Sequence, residues 1–476
     1  MLRKPTYPAG IYCCAFLVAV CLIHIQTVHA QSGLDLTLMD CRSLAVKNNA
    51  AIRNAQLDVM AAGAQKGEAF AEYFPVVSFN AFGYYAFDPM LEIGVKDILG
   101  NSDMANNINS WVNQIAPQLG LDPVYSTLKQ GYSATVTAIQ PVFAGGRIVS
   151  GNRLASLGEE AAVLKGDLQR SKSLEEVEEG YWQVVSLEEK MKTLASVRRM
   201  LDNLAKDVDA AVSAGLVSST DRLQLRLRQN ELESTGLKLR GSIRLAKMNL
   251  CNAIGLEYTP YSTIGTDSIP FIDSIVFVDR LDSPEDPSVY WKDENEILSA
   301  RKESRLLDIS VEAKRLEKRM VLGEVLPQVG VGVSYGYSDV MFNDARFNGA
   351  VFATLKIPIT DWGKYSRKLQ RYGYQVQKAE NDKAYMDSQL LLQIRQLWLD
   401  LTVSWEQAKV AEESVEAARA ALKELSDHYR AGLVPLSDLL QSETSFRQSC
   451  DALSDARIAC RIALSRYRNL YTDDNY

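Results

Sequence analysis

The sequence predicts a mainly α-helical, internally duplicated protein whose long coiled-coil hairpins are joined to strands of a membrane β-barrel. Three observations predict this fold class. The phrase AGLVSSTD at residues 214–221 returns as AGLVPLSD at residues 431–438, 217 positions later. Two stretches of about 65 residues lack proline and repeat their apolar residues about every 3.5 positions. Four segments of roughly ten residues alternate apolar and polar side chains.

The first thirty residues have the layout of a secretory signal peptide. Arg3 and Lys4 precede an apolar run from Ile11 to Ile25, and the small residues before Ala30 predict cleavage after it. A membrane-helix anchor is the alternative, but the run is shorter than the ~20 apolar residues that a bilayer span needs. No cysteine in this segment stands where a lipoprotein would be cleaved, so we expect no lipid anchor.

The charge balance argues against a nucleic-acid partner. The 476 residues include 52 Lys and Arg against 59 Asp and Glu, a net charge of −7. Cleavage after Ala30 removes two basic residues, which makes the mature chain still more acidic. Because nucleic-acid binding depends on clustered Lys and Arg, we expect no nucleic-acid partner.

The mature chain contains few residues of the types that perform catalysis. His24 and His29 leave with the signal peptide, so His428 is the single histidine, and we interpret it as a solvated helix residue, with a pH switch as the alternative. We found no Gly-rich phosphate loop and no cluster of metal ligands. We therefore expect no enzyme activity, no cofactor and no metal. The remaining cysteines match no zinc or redox spacing and are interpreted as small hydrophobic residues: Cys41, Cys251, Cys450 and Cys460.

The duplication divides the chain into two repeats joined by a linker. Pro141 matches Pro358 at the offset of 217, whereas Pro75 matches Pro327 at an offset of 252. The difference places 35 extra residues between Pro75 and Pro141, and we assign them to a long loop within residues 88–129. The predicted organisation is a signal peptide at 1–30, a first repeat at 31–256, a linker at 257–290 and a second repeat at 291–476.

Each repeat is predicted to contain a helix, two strands, a very long helix, the AGLV phrase and a returning helix. The predicted long helices, 147–211 and 364–428, would each be a rod on the order of 100 Å, at 1.5 Å per residue. A period close to 3.5 is typical of coiled coils. In the first long helix, this period is carried by Leu187, Met191, Leu194, Val197, Leu201, Leu204, Val208 and Ala211.

The four alternating segments are predicted to be strands with one apolar face. This pattern is more common in half-buried sheets of soluble proteins, but the signal peptide and the tyrosine-rich strand ends favour a transmembrane barrel. Four strands cannot close a barrel, because even the smallest need about eight. We therefore expect an oligomer whose copies share one barrel. The apolar face consists of Val77, Phe79, Ala81, Tyr85, Val136, Ala138, Val329, Val331, Val333, Tyr335, Tyr337, Val351, Ala353, Leu355 and Ile357.

The repeated phrase is predicted to be the turn of a helical hairpin in each repeat. Gly215 and Gly432 would end the long helices, since glycine tolerates the left-handed conformation found at helix C-termini. Ser218 and Asp221 form an S-x-x-D pattern that resembles a capping box at the start of the returning helix. Pro435 replaces Ser218 in the second copy, and proline suits a first helical turn.

The order, spacing and duplication of these motifs resemble the outer-membrane efflux protein family of TolC-like channels. The resemblance is carried by the G-L-V-x-x-[ST]-D phrase after each long helix and by the strand-to-helix signatures PVFAGGR (141–147) and PITDWGK (358–364). It implies a homotrimer whose protomers each give four strands to one barrel in outer-membrane lipid, continued through the periplasm as a trimeric α-barrel. It also implies two partners, a periplasmic adaptor protein and an inner-membrane RND or ABC transporter that supplies the energy. The channel itself would be a passive conduit.

The resemblance also implies roles for the hairpin turns and for the residues beside them. Asp438 would line the periplasmic entrance, with Gln441 where the family has a second aspartate, and Tyr429 would help to hold the entrance closed. Val434 stands where the family's latch has an arginine, so this chain departs from the pattern there. Asp438 could equally be a carboxylate at a helix N-terminus, as we interpret Asp221. The tips would contact the adaptor, unless they are simple turn residues: Gly215, Leu216, Val217, Ser218, Gly432, Leu433 and Val434.

Two other classes of protein compete with a channel. A secreted periplasmic coiled-coil adaptor without a pore would explain the hairpins, but not four alternating strands in matched pairs. A soluble secreted enzyme would need the histidines and site motifs that the mature chain lacks. Within the channel class, the residues do not distinguish drug efflux, metal efflux and type I protein secretion.

Overall fold

The computed structural model describes residues 34–88, 91–120, 124–127, 130–215, 217–260, 269–339, 346–360 and 362–472. The predicted signal peptide at 1–30 and the tip residue Leu216 lie outside them. The chain divides into two compact units. The hairpin unit comprises Met1–Asn54, Leu168–Ile297 and Leu392–Tyr476, and the sheet unit comprises Ala55–Asp167 and Leu298–Leu391.

The first repeat runs from a short strand through two helices and a strand pair to a hairpin of two helices. A further short strand, β6 (Ile275–Phe277), follows in the linker. The elements of the first repeat are β1 (Leu34–Leu36), α1 (Leu38–Asn48), α2 (Ala50–Ala71), β2 (Val76–Tyr85), β3 (Leu91–Gly94), α3 (Val95–Leu99), α4 (Asp103–Ile115), β4 (Val124–Thr127), β5 (Gln130–Ala144), α5 (Arg147–Ser213) and α6 (Ser219–Ile254).

Apart from β1 and the insertion between β2 and β5, the second repeat has the same order, and two of its helices have the same length as their counterparts. Both α5 and α9 have 67 residues and begin 217 positions apart. Both α2 and α8 have 22 residues and begin 252 positions apart. The predicted duplication is therefore confirmed at both offsets. The elements of this repeat are α7 (Glu294–Ala300), α8 (Lys302–Gly323), β7 (Gln328–Asp339), β8 (Arg346–Lys356), α9 (Lys364–Arg430) and α10 (Leu436–Arg468).

The core of the hairpin unit surrounds two aromatic residues of α5, Tyr181 and Trp182, which are both buried. The linker is part of this core, because β6 pairs in parallel with β1 and its Phe277 ring lies 5.3 Å from the Tyr181 ring. The Tyr181 hydroxyl donates a hydrogen bond to Asp279 Oδ2 at 2.7 Å, and the Leu38 N–H donates to the same oxygen at 2.8 Å. Asp279 thereby fastens the linker to α5 and to the start of α1.

In the sheet unit, α8 packs against both long helices. Leu157 of α5 is buried with Ile309 and Leu316 of α8. Arg315 of α8 forms an ion pair with Glu380 of α9 at 2.6 Å. Helix α8 of the second repeat thus joins the two repeats in this unit.

The 35 extra residues of the first repeat contain more regular structure than the predicted long loop. Strands β3 and β4 pair antiparallel, and α3 and α4 lie between them in the chain. The Ser102 hydroxyl caps α4 by accepting a hydrogen bond from the Ala105 N–H at 3.1 Å. The many asparagines suggested a loop, whereas the cap and the helical spacing of Met104, Ile108 and Trp111 were the signals for a helix.

The remaining strands form one antiparallel sheet in the order β2-β5-β7-β8. The register between β5 and β7 shifts between Pro141 and Phe143. Proline lacks the N–H group that a central strand donates, so a bulge at this position is expected. Immediately after β5, the backbone of Gly145 approaches that of Gly323 at the end of α8.

Gly145→Ala is expected to destabilise the protein. Gly145 has a φ of +64°, and an added Cβ would lie 2.1 Å from the carbonyl oxygen of Gly323. Its neighbour Gly146 is the matched control, because its φ is +75° but a Cβ there meets nothing within 4 Å. Gly146→Ala should cost only the left-handed backbone penalty of about 1–2 kcal/mol. Melting temperatures in detergent measure both variants, and equal losses would contradict a specific role for the close approach.

Candidate functional site

One face of the four-stranded sheet carries the apolar residues that the alternation predicts. The register aligns them in rows across the strands, of which Phe79, Val136, Tyr335 and Gly349 form one. Most of the large side chains on this face are exposed in a single chain. A surface this apolar calls for an apolar environment. The two neighbouring rows are Val77–Ala138–Val333–Val351 and Ala81–Ala134–Tyr337–Phe347.

On the opposite face, the middle rows are polar, whereas the row Val76–Ile139–Gly332–Phe352 is apolar. One row consists of Ser78, Thr137, Ser334 and Ala350, and the Thr137 hydroxyl donates a hydrogen bond to Ser334 Oγ at 3.4 Å. The next row is Asn80–Thr135–Gly336–Asn348. Strands with one apolar and one polar face are typical of membrane barrels that enclose a polar interior.

Aromatic side chains cluster at the strand ends that do not lead into the helices. The Tyr132 and Tyr337 rings stack with their centroids 5.9 Å apart, and Phe347 lies 5.0 Å from Tyr337. Amphipathic rings are enriched where a barrel meets the headgroup region of a bilayer. The cluster therefore suits a membrane boundary.

The sheet has two open edges. Within the described strands, β2 pairs only with β5 and β8 pairs only with β7. In lipid, each unpaired backbone N–H or C=O group costs several kcal/mol, because no water is available to bind it. The sheet of one chain is therefore incomplete as a membrane structure.

The predicted hairpin turns are confirmed. Gly215 and Gly432 have φ values of +72° and +73° and follow the last residues of α5 and α9 closely. In the second turn, the Leu433 N–H donates to the His428 carbonyl at 2.9 Å, and the Gly432 N–H donates to the Tyr429 carbonyl at 3.0 Å. This pair of bonds is the Schellman motif, which satisfies the last carbonyls of a helix.

The start of each returning helix differs slightly from the sequence expectation. Ser218 is the N-cap of α6, but its hydroxyl accepts a hydrogen bond from the Thr220 N–H at 3.1 Å, one residue earlier than in a capping box. Asp221 lies in the first turn of α6, where a carboxylate interacts favourably with the helix dipole. Pro435 is the N-cap of α10 and precedes the first helical residue.

The proposed entrance residues lie on two sides of the second turn. Asp438 and Gln441 are exposed and three positions apart, so they share one face of α10. The Ser437 hydroxyl donates a hydrogen bond to Asp438 Oδ1 at 3.1 Å. Tyr429 is half-buried, and burial followed by the charges of Asp221 and Asp207 raises the pKa of its hydroxyl. Tyr429 therefore faces the first hairpin.

The two hairpins are joined by a shared apolar core close to their turns. Leucines of α6 and α10, such as Leu225 and Leu436, are buried in it with residues of α5, such as Leu201. Tyr429, Leu422 and Leu425 of α9 pack against it. Displacing one hairpin from the other would expose this core to water.

A buried ion pair crosses between the returning helices beside this core. Nε and Nη2 of Arg228 donate to Glu443 Oε2 at 2.9 and 2.7 Å, and Nη2 also donates to Thr444 Oγ1 at 2.7 Å. The Glu443 side chain is 0% exposed and that of Arg228 is 16% exposed. Burial lowers the pKa of Arg228, but the hydrogen bond and charge of Glu443 outweigh it and raise the pKa overall. The guanidinium therefore stays charged.

The sequence did not reveal this pair. Glu443 corresponds in the first repeat to Arg226, and Arg228 corresponds in the second to Ser445, so the repeats do not share it. A charged residue on an amphipathic helix is usually solvated, and only the packing of α6 against α10 buries these two. No spacing rule within one helix could have identified them.

The described cysteines behave as the sequence analysis expects. Cys41, Cys251 and Cys460 are buried and Cys450 is half-buried, all as free thiols. Burial raises the pKa of the Cys41 thiol to about 12 and that of Cys251 to about 11. Neutral, buried thiols of this kind act as small hydrophobic side chains.

No group of three or more His, Cys, Asp or Glu side chains that could hold a metal ion occurs in the part of the chain that the structure describes. Among those same residues, no helix is both long enough and apolar enough to cross a membrane.

The family model of the outer membrane efflux proteins matches residues 41–256 and 309–471, which is most of the chain. The chain belongs to the outer membrane efflux protein family. The two matched segments leave residues 257–308 between them unmatched. A search of curated protein sequences found no significant match.

Solved structures of outer-membrane channels share the fold of this efflux protein. The outer membrane protein VceC of Vibrio cholerae is 15% identical, with a TM-score of 0.67 over 91% of this chain and 95% of that one. The CmeC outer membrane channel of Campylobacter jejuni is 14% identical, with a TM-score of 0.69 over 91% and 85%. The MtrE outer membrane channel of Neisseria gonorrhoeae, in its open state, is 16% identical, with a TM-score of 0.65 over 94% and 93%.

Family membership decides between the classes of protein that the sequence left open. The efflux protein is an exit duct in the outer membrane with a helical tunnel in the periplasm. The family consists of channels and not of enzymes, and a pore-free periplasmic adaptor finds no support. Family members generally act as trimers together with an adaptor and an inner-membrane transporter.

Arg228→Met is expected to destabilise the efflux protein by about 3–5 kcal/mol, because it leaves the Glu443 carboxylate buried without its partner. Arg228→Met with Glu443→Leu should recover most of this loss, since neither charge is then buried. The surface control is Arg198→Met, because the Arg198–Glu233 pair is 3.5 Å apart and about half exposed. Such pairs contribute about 0–1 kcal/mol. Unfolding in denaturant measures all three, and equal losses for Arg228→Met and Arg198→Met would refute the assignment.

Proposed function

We propose that three copies of the efflux protein complete one barrel and form the exit duct of a tripartite efflux or type I secretion system. The observation that supports this most directly is the pair of open edges on a sheet with a lipid-compatible face. If β8 of one copy pairs with β2 of the next, three copies of four strands close without a free edge. Twelve strands exceed the roughly eight that a barrel requires.

The energy for transport would come from partners and not from this chain. An inner-membrane transporter of the RND or ABC class drives the cargo, and a periplasmic adaptor couples that transporter to the helical end of the duct. The cargo class, whether drug, metal or protein, is set by the transporter. A passive conduit needs no catalytic residue, in keeping with the single histidine of the mature chain.

The hairpin tips are the proposed adaptor contact. Leu433 lies directly after the turn glycine and is 71% exposed, although exposing an apolar side chain to water is unfavourable. Val217 and Val434 are half-exposed beside the same turns. An apolar rim of this kind suits a partner that covers it, together with Gly215, Leu216, Ser218 and Gly432 at the two turns.

The proposed entrance is a ring of Asp438 residues, one from each copy. Asp438 and Gln441 share the exposed face of α10, and three converging carboxylates would create a negative potential that attracts cations. Tyr429 would hold the second hairpin against the first while the entrance is closed.

Asp438→Asn should reduce the cation selectivity of the channel. Asp221→Asn is the matched control, because Asp221 occupies the equivalent position of the first repeat and is interpreted as a helix-dipole carboxylate. Planar-bilayer conductance measures selectivity for both variants beside the wild type. A loss with Asp438→Asn alone supports the ring, and unchanged selectivity would exclude it. Absence of any conductance from the wild type, with a monomer in native mass spectrometry, would overturn the shared barrel itself.

Leu433→Asp should weaken adaptor crosslinking and export, since a buried carboxylate at the contact lacks a partner. Leu119→Asp is the matched control, because Leu119 is 70% exposed but lies in the insertion between β2 and β5 and not in a hairpin turn. Crosslinking in cells, together with export of a dye, reports both effects. Full crosslinking with Leu433→Asp would show that the tips are not part of the adaptor contact.

A further inference from the structure

Trp362, in the turn between β8 and α9, has an exposure that its own chain does not explain. Its side chain is 100% exposed. Its φ is +54°, and among the described residues no other non-glycine residue has a positive φ. By the offset of 217 its counterpart is Gly145, which adopts the left-handed conformation without the steric cost of a Cβ. A large apolar side chain held in a strained turn and facing water indicates a partner outside the chain.

The turn lies where the lipid-facing side of the sheet ends. Leu355 and Ile357 continue the apolar face of β8 and are exposed, and Ile359 is 90% exposed. Ile357 follows Phe347, a member of the aromatic cluster at the opposite strand ends, by ten residues. At about 3.3 Å per residue and a tilt of about 40°, this stretch crosses roughly 25 Å, which is the height of the apolar band of a membrane barrel. Trp362 therefore lies at the periplasmic boundary of the bilayer.

Positive charge follows the turn immediately. The first two turns of α9 contain four cations at positions i, i+3, i+4 and i+7, a spacing that places them on one face of the helix. Asp361 is the only acidic residue between positions 361 and 371. Cations at a helix N-terminus oppose the helix dipole, so the stability of α9 does not account for them. We call this set the basic face of α9, and it consists of Lys364, Arg367, Lys368 and Arg371.

Most of this charge is not neutralised within the chain. Lys368 forms an ion pair with Glu324 at 2.6 Å. For the other three cations, which are exposed, the described residues place no carboxylate within 4 Å. The duplication did not require this charge, because only the first of the four counterparts in α5 is a cation. These counterparts are Arg147, Ser150, Gly151 and Leu154.

A neighbouring copy is the other possible occupant of this surface. Within the chain, Gly145 approaches the end of α8 so closely that an added Cβ would lie 2.1 Å from the Gly323 carbonyl oxygen. An equivalent contact between copies would have no room for the indole of Trp362. Phospholipid headgroups, in contrast, match the positive charge of the basic face and continue the lipid that covers the sheet.

We propose that Trp362 and the basic face of α9 bind anionic phospholipids in the inner leaflet of the outer membrane. The indole lies among the headgroups, where tryptophan is enriched because its ring is apolar and its N–H is polar. The cations reach the phosphates from the periplasmic side while their alkyl stems lie against apolar surface. Salt screens this attraction beyond about 10 Å, so it acts on the lipids in contact with the helix. The surface is independent of the adaptor, the transporter and the cargo.

Quenching by brominated lipid tests the position of the indole. The protein is reconstituted in phosphatidylcholine vesicles with bromine on the acyl chains near the headgroup, and its tryptophan emission is compared with that in unbrominated vesicles. Trp362→Phe should lose part of the quenched intensity. Trp291→Phe is the matched control and should retain it, because Trp291 is 58% exposed but lies in the hairpin unit. Equal quenched intensity in the wild type and Trp362→Phe would place the indole outside the lipid and overturn the proposal.

Lipid retention in native mass spectrometry tests the charge. The protein is sprayed from micelles that contain equal amounts of phosphatidylglycerol and phosphatidylcholine, and the wild type should retain phosphatidylglycerol preferentially. Arg367→Gln with Arg371→Gln should lower this preference roughly tenfold. Arg198→Gln with Arg199→Gln removes the same charge from an exposed part of α5 in the hairpin unit and should leave the preference unchanged.

Two outcomes of the mass spectra would contradict the proposal. The same preference in both double variants would show that the basic face does not select anionic lipid. Loss of the trimer with Trp362→Phe, together with unaltered quenching, would assign the indole to a contact between copies instead.

Discussion

The requirement that every backbone amide in lipid find a hydrogen-bond partner is the constraint on which this efflux protein depends. One chain contributes four strands, and the outer backbone edges of β2 and β8 have no partner within the described sheet. A single copy inserted in a bilayer would leave two rows of polar groups facing hydrocarbon. The need for further copies therefore follows from the backbone, before any side chain is considered.

Alternating apolar residues in the strands and heptad spacing in the helices both place the apolar side chains on one face of the element, which can then be buried. In β5, every second side chain joins the apolar face, and the chain then passes through Gly145 and Gly146 into α5 without a linker. From there, the apolar residues recur with the period of a coiled coil and meet α6, α8 and α10. The change of period at the glycine pair marks the place where the neighbouring medium changes from lipid to other helices.

Much of this architecture was predictable from the sequence, because it depends on period and on repetition. The offsets of 217 and 252 relate the starts of α9 and α8 to those of α5 and α2, and the turn glycines lie two residues after the last residues of α5 and α9. Contacts between helices were not predictable in this way. The Arg228–Glu443 pair depends on how α6 lies against α10. The local backbone geometry decides that the Ser218 hydroxyl accepts its hydrogen bond from the Thr220 N–H and not from the next amide. For the insertion after β2, the amino-acid composition gave the wrong prediction, because asparagine is common both in loops and on the polar face of a short helix.

The equal length of α5 and α9 constrains insertions and deletions. The leucines of the shared core belong to both hairpins, so a deletion confined to one long helix would draw its residues away from their partners by about 1.5 Å for each residue lost. Loss of one heptad would preserve the apolar stripe of that helix and still separate Leu201 from Leu436. A change in the length of this duct therefore preserves the shared core only when both long helices change by the same number of residues.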